Sequence, residues 1–295
     1  MSERATGNIY DLGYRNYAGE RLGRSQAFVT LYIHSLRASF GFGRRTVSKL
    51  FPVGFAVIAF IPALIQLGIG AFTSSLNADV ELFAHEDYYG FIQIILLLFC
   101  ATTAPELAGR DQRTHTLSLY FSRALRREDY AIAKLAALVT AMLVLTLGPQ
   151  MLLYIGNGLA EDDVWGYIQR EWDQIGPIVA SALLISGIIA SIGLAIGAYV
   201  PRRSYATVAI LAAFIIPITV ANILIETTDP EVSRYFLLLS PTIFEGFALW
   251  FFNAPVDSEA LLDADFAGYI YLLAGLAWLA IGAVFLVRRF QRVTA

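Results

Sequence analysis

The stretch PELAGRDQRTHTLSLYFSRALRREDYAIAK, Pro105 to Lys134, is a basic, amphipathic insert held between two long apolar runs. Leu117, Phe121 and Leu125 recur in it at helical spacing, with Tyr120 and Ala124 beside them, while Arg110, Arg113, Arg123, Arg126 and Arg127 occupy the remaining surface. This spacing predicts a short helix with one apolar face, lying just outside a bilayer. Arg110 and Asp111 crowd its start. Glu128 and Asp129 then open the next helix, where carboxylates suit the positive end of a helix dipole, and that helix runs straight into the membrane.

The flanking apolar runs set the class. The chain has 295 residues, of which 57% are hydrophobic and 15% charged, whereas a soluble globular domain is about 45 to 50% apolar. The first run, Phe51 to Phe72, is about 33 Å long as a helix, enough to cross a hydrocarbon core of about 30 Å. Further spans are predicted at roughly 88 to 104, 131 to 155, 175 to 200, 205 to 226 and 267 to 287. The expected fold is an all-α membrane protein. Residues 1–50 form an arm and interfacial helix, 51–287 a six-span domain and 288–295 a tail.

Charge predicts which end faces the cytoplasm. Eight Lys and Arg precede the first span, six lie between Pro105 and Lys134, two at Arg202 and Arg203 and three at the C-terminus, which places 19 of 21 on one side. Only Arg170 and Arg234 fall in the alternate loops, and those loops carry 17 of the 24 acids, among them Glu161, Asp162, Asp163, Asp257, Glu259, Asp263 and Asp265. The positive-inside bias puts both termini and the basic insert in the cytoplasm of a cell membrane. About fifty mostly polar residues precede the first run, so it reads as an uncleaved anchor rather than a signal peptide.

Before the first span, Phe28, Leu31, Tyr32, Leu36 and Phe40 follow helical spacing, which predicts an interfacial helix over residues 25 to 40. The arm before it, with Tyr10, Tyr14, Tyr17, Arg15 and Arg21, has no period. Between the fifth and sixth spans Tyr235 to Phe252 is apolar but broken by Ser240, Pro241, Glu245 and Gly246. As a seventh span it would send Arg288, Arg289 and Arg292 outside, so it is read as a re-entrant hairpin on the outer side. Glu245 is a candidate outer gate, since Ile243, Phe244, Phe247 and Leu249 make its ionised form costly unless water or Arg234 reaches it.

Inside the spans, Gln66, Gln93, Gln150 and Asn222 supply polarity suited first to hydrogen bonds between helices. Pro62, Pro149 and Pro217 interrupt spans. Gly193 and Gly197 form a G-x-x-x-G that predicts close helix packing, within one chain or between two. The single Cys100 excludes an intrachain disulfide and reads as a packed hydrophobe.

Nothing in the chain matches a G-x-x-x-x-G-K-[ST] phosphate loop or a Gly-x-Ser-x-Gly elbow, and His34, His85 and His115 lack zinc spacing. No catalytic or metal-binding residue is therefore assigned. A net charge of -3 gives no reason to expect nucleic acid as a partner. The central turns of the spans lack a titrating group, which argues against gradient-driven transport and for an apolar path.

The insert resembles the loop between the second and third spans of type-2 ABC-transporter permeases, the export-type membrane subunits. There the loop reads as a Glu, a basic residue, Gly-Thr-Leu, then Arg-Pro-Val-x-Arg, an aromatic and a Lys. This chain offers Glu106, Arg113, Thr116 with Leu117, then Arg123, Arg127, Tyr130 and Lys134, with His115 in place of the Gly and Ala124 in place of the Pro. The N-terminal interfacial helix and the hairpin before the last span resemble the same family. The resemblance implies a coupling helix that seats on a separate cytoplasmic ATPase, which would bind ATP and Mg. It also implies a second permease copy or close homologue, and export of a substrate. Glu106, Arg113, Thr116, Leu117, Phe121, Arg123, Arg127 and Lys134 are the ATPase-coupling candidates, with Leu117 and Phe121 as apolar anchors. The apolar path suggests a hydrophobic or amphipathic substrate. The alternative is a non-transporting scaffold or regulatory subunit that uses the same loop to recruit a cytoplasmic protein.

Overall fold

The computed structural model describes residues 23–43, 46–74, 84–122, 125–161, 163–200, 202–228 and 230–292. The Tyr- and Arg-rich arm up to residue 22, and also Arg123, Ala124 and Asp162, lie outside the described residues. What is described is all helix, with no strand. In chain order the helices are α1 (Arg24–Ser39), α2 (Thr46–Ser74), α3 (Tyr88–Ala108), α4 (Arg110–Arg113), α5 (Leu117–Phe121), α6 (Arg127–Ala160), α7 (Val164–Arg170), α8 (Trp172–Tyr199), α9 (Arg203–Thr227), α10 (Pro230–Leu237), α11 (Ile243–Phe252), α12 (Glu259–Ala264) and α13 (Gly268–Arg292).

Among the described residues six helices are long and apolar enough to cross a membrane: α2, α3, α6, α8, α9 and α13. This is a multi-pass membrane protein. The bundle has a basic end, where α4, α5 and the last turn of α13 lie, and an acidic end, where α7, α10, α11 and α12 lie.

The fourth span, α8, is the centre of the bundle. In its most apolar window 78% of residues are enclosed, against 22% for α2, α9 and α13, so the latter three turn most of their side chains outward. Small residues let α8 take this place, because helices in lipid gain from close backbone approach. Gly193 faces Cys100 on α3, and a Cβ at Gly197 would come within 3.1 Å of the Ala104 carbonyl oxygen. The G-x-x-x-G thus joins two helices of the same chain. Gly282 of α13 sits in the same way against Ser191. Several polar groups tie the bundle together: Thr146 meets Ser186 at 3.2 Å, Thr207 donates to the Ala101 carbonyl at 2.9 Å, and Gln150 pairs with His85 in the turn before α3. Pro62, Pro149 and Pro217 lie inside continuous helices.

Helix α1 is tied to the basic-end half of α6 at two points. Arg24 donates from Nε and Nη2 to both carboxylate oxygens of Asp129, at 2.7 and 2.6 Å, and Tyr32 bonds Thr140 at 3.0 Å. Asp129 also accepts from the Arg126 backbone N–H at 3.1 Å, so the carboxylate expected at the start of α6 caps it. At the acidic end α10 and α11 form a broken pair whose turn is held by α13. Trp278 donates to the Leu238 carbonyl at 3.1 Å, and the rings of Tyr271 and Trp250 lie against Gly246 and Gly268. Left-handed Asn253 and Asp265 stop α11 and α12.

Candidate functional site

The basic insert departs from the single short helix that its spacing predicts. It breaks into α4 and α5 around His115, whose φ is 55°, and Leu125 falls beyond α5 in the extended residues before α6. Left-handed backbone is where glycine sits without steric cost, and here a histidine takes it. Thr116 closes the turn by donating from Oγ1 and from its backbone N–H to the Asp111 carbonyl, at 3.3 and 3.1 Å.

Each expected coupling residue has a definite place, apart from Arg123, which is not described. Glu106 stands in the last turn of α3, with Arg203 at 3.0 Å and Arg113 at 3.7 Å. Leu117 is only 4% exposed and packs inward. Phe121 is half-buried, edge-on to Tyr130, with the Arg127 guanidinium 5.6 Å above its ring. Arg127 also donates to the Gln291 carbonyl at 2.7 Å, at the end of α13. Lys134 is buried and its ammonium meets Asp111 Oδ2 at 2.9 Å.

Asp111 is the residue that the sequence reading underweighted. Its Oδ2 accepts from Lys134 and, at 2.6 Å, from the Tyr130 hydroxyl. Tyr130 and Lys134 are four apart on α6 and so share one face, a spacing that could have pointed to a common partner. Gln112 next to it accepts from Arg289, which also donates to the Ala198 carbonyl at 3.0 Å. Through these bonds the insert is linked to the ends of α6, α9 and α13, and by way of Arg289 to α8. What it leaves outward is Arg110, Thr114, His115, Ser118 and above all Leu119, which is 67% exposed.

At the acidic end two cavities of about 380 and 470 Å³ share the side chains of Gln93 and Glu245. The smaller is also lined by Asn222, Thr242, Ser258, Glu259 and Asp263, and the larger by Glu86, Asp87, Tyr89, Phe244, Leu249 and Asp257. Glu245 is open to this space, yet desolvation by the surrounding wall dominates and pushes its carboxyl above the ordinary range. Arg234 does not serve it. That guanidinium lies 5.3 Å from the ring centres of Tyr235 and of Phe266.

Comparison with models of known protein families and with curated proteins finds no match to this chain.

Proposed function

We propose that this chain is the membrane-spanning permease subunit of an ATP-driven exporter, with both termini in the cytoplasm and a separate ATPase seated on the α4–α5 insert. The observation that carries the reading is the linkage of the insert. A loop that only joined α3 and α6 would need no bonds to the ends of other spans, whereas a loop that receives force from a partner must pass it to the helices that move. Glu106–Arg203, Asp111–Lys134, Gln112–Arg289 and Arg127–Gln291 supply that connection. The resemblance of the insert to type-2 ABC permeases, and the 19 of 21 basic residues on its side, support the same reading.

On this reading α1 is the interfacial helix, α5 the coupling helix, and α10 with α11 a re-entrant hairpin whose Glu245 stands at the outer gate. Two copies, or this chain and a close homologue, would frame the path. The experiment is reconstitution with an ATPase encoded beside it. The pair should copurify, and ATP hydrolysis by the pair should exceed that of the ATPase alone. An ATPase that neither binds the chain nor responds to it would sink the exporter reading and leave the scaffold.

A further inference from the structure

We propose that the recess at the acidic end, divided by Glu245, binds an organic cation with an apolar body. The proposal deepens the exporter reading and rests on it only for calling such a cation a substrate.

The recess has the form of a ligand site. Its two cavities are each within the range of small-molecule pockets and meet at Gln93 and Glu245, so one wall serves both. Ile185, Phe244, Leu249 and Tyr89 give the larger one an apolar and aromatic lining, against which an apolar body loses its hydration. Among the described residues neither cavity is lined by Lys, Arg or His. The polar lining is six carboxylates, the amides of Gln93 and Asn222 and the hydroxyl side chains of Thr242, Ser258 and Tyr89.

Among the described residues no Lys or Arg forms an ion pair with the lining carboxylates. Only two basic residues belong to the loops at this end, Arg170 and Arg234. Arg170 pairs with Glu161, and Arg234 stacks on Tyr235 and Phe266. A carboxylate-lined pocket with low-dielectric walls focuses its field and attracts cations. Among the described residues no three acids or histidines converge as a metal site. Charges spread around a broad apolar wall suit a cation whose charge is diffuse, and an aromatic ring at the wall adds to that preference.

The test uses the purified chain in phosphatidylcholine nanodiscs and two probes of matched shape and opposite charge, tetraphenylphosphonium and tetraphenylborate. Saturable binding of the cation and none of the anion is expected. Glu245→Gln should weaken cation binding about fivefold, the effect of one unit charge at about 4 Å in a water-like dielectric. Asp173→Asn, exposed at the same end on α8 and outside both cavities, should leave it unchanged. Should Glu245→Gln not fold, the same loss is sought in Asp257→Asn with Asp263→Asn. Equal binding of the two ions, or cation binding indifferent to the cavity carboxylates, would overturn the proposal. Copurification of the ATPase is measured on the same preparations. Its loss with cation binding intact would count against the exporter reading alone.

Discussion

The Lys134 ammonium lies 2.9 Å from Asp111 Oδ2, and this contact fastens the third span to the turn that leads into the basic insert. Both side chains are withdrawn from solvent, at 5% and 15% exposure, and Tyr130 donates to the same oxygen. Removing one partner of such a pair strands a charge. Lys134→Met should therefore destabilise the protein by about 3 kcal/mol, whereas the double variant Asp111→Asn with Lys134→Met should recover most of it. Chemical denaturation in detergent measures both, and a double variant no better than the single one would show that the pair is not the cause.

The packing of α3 on α8 makes a second quantitative case. A methyl added at Gly193 would overlap Cys100 Sγ, while the next neighbour, Ala104 Cβ, is 3.6 Å away and tolerates it. Gly193→Ala should cost about 1 to 3 kcal/mol from overpacking. Combined with Cys100→Ala, which removes the obstructing sulfur, most of that cost should vanish from the melting temperature. If the double variant stays as unstable as Gly193→Ala, the two helices do not meet there.

The charge distribution predicts a sidedness that labelling can check. In a chain with Cys100→Ala, a cysteine at Asp263 should react with an impermeant maleimide in intact cells, and one at Arg202 should react only after the membrane is opened. Both positions are exposed in the fold. Labelling of the Arg202 position from outside would reverse the assignment of the basic end to the cytoplasm.

The six spans were legible because an apolar run of about 20 residues in lipid has one economical backbone solution. Their ends were less so. Helix α6 begins at Arg127 and not at 131 because Asp129 caps it from within, and α13 runs on to Arg292. The insert was legible as amphipathic but not as two pieces, since periodicity carries no sign of a left-handed His115. Leu117 and Leu119 illustrate the same limit: apolar spacing named Leu117 as an anchor, and the break at His115 turns it inward and leaves Leu119 outside. The bonds that link the insert to α9 and α13 join positions as far apart as Gln112 and Arg289, 177 residues along the chain, and no local pattern encodes them.

Cation binding at the acidic end should depend on pH in a direction that Glu245 sets. Desolvation raises its carboxyl above 4.5, so on acidification it takes up a proton before an ordinary glutamate does. Glu86, Asp87, Asp257, Glu259 and Asp263 face the same recess, with Tyr89 there and Tyr271 and Asp265 near it. Tetraphenylphosphonium binding should be full at neutral pH and decline first as pH falls toward the raised value for Glu245. In Glu245→Gln that decline should be missing. An unchanged profile in the variant would show that Glu245 does not set the pH dependence.

The insert offers the sharpest division between fold and contact. Phe121 packs on Tyr130 and carries Arg127 above its ring, so Phe121→Ser should lower the melting temperature as well as any partner affinity. Leu119, on the same helix, is 67% exposed and supports nothing within the chain that its burial would require. If the ATPase seats on this surface, Leu119 is the apolar anchor, since a few packed side chains carry most of an interface's energy, and Leu119→Asp should cost about 2 kcal/mol of association. Melting temperature should hold in Leu119→Asp while copurification of the ATPase and substrate-stimulated hydrolysis fall together. The Arg110→Glu change, at the exposed edge of the insert, should slow association at low salt more than it speeds dissociation. An ATPase that binds Leu119→Asp as tightly as the unaltered chain would place the coupling contact elsewhere, and the connections from Glu106 to Arg203 and from Gln112 to Arg289 would then be a brace for the bundle and not a path for force.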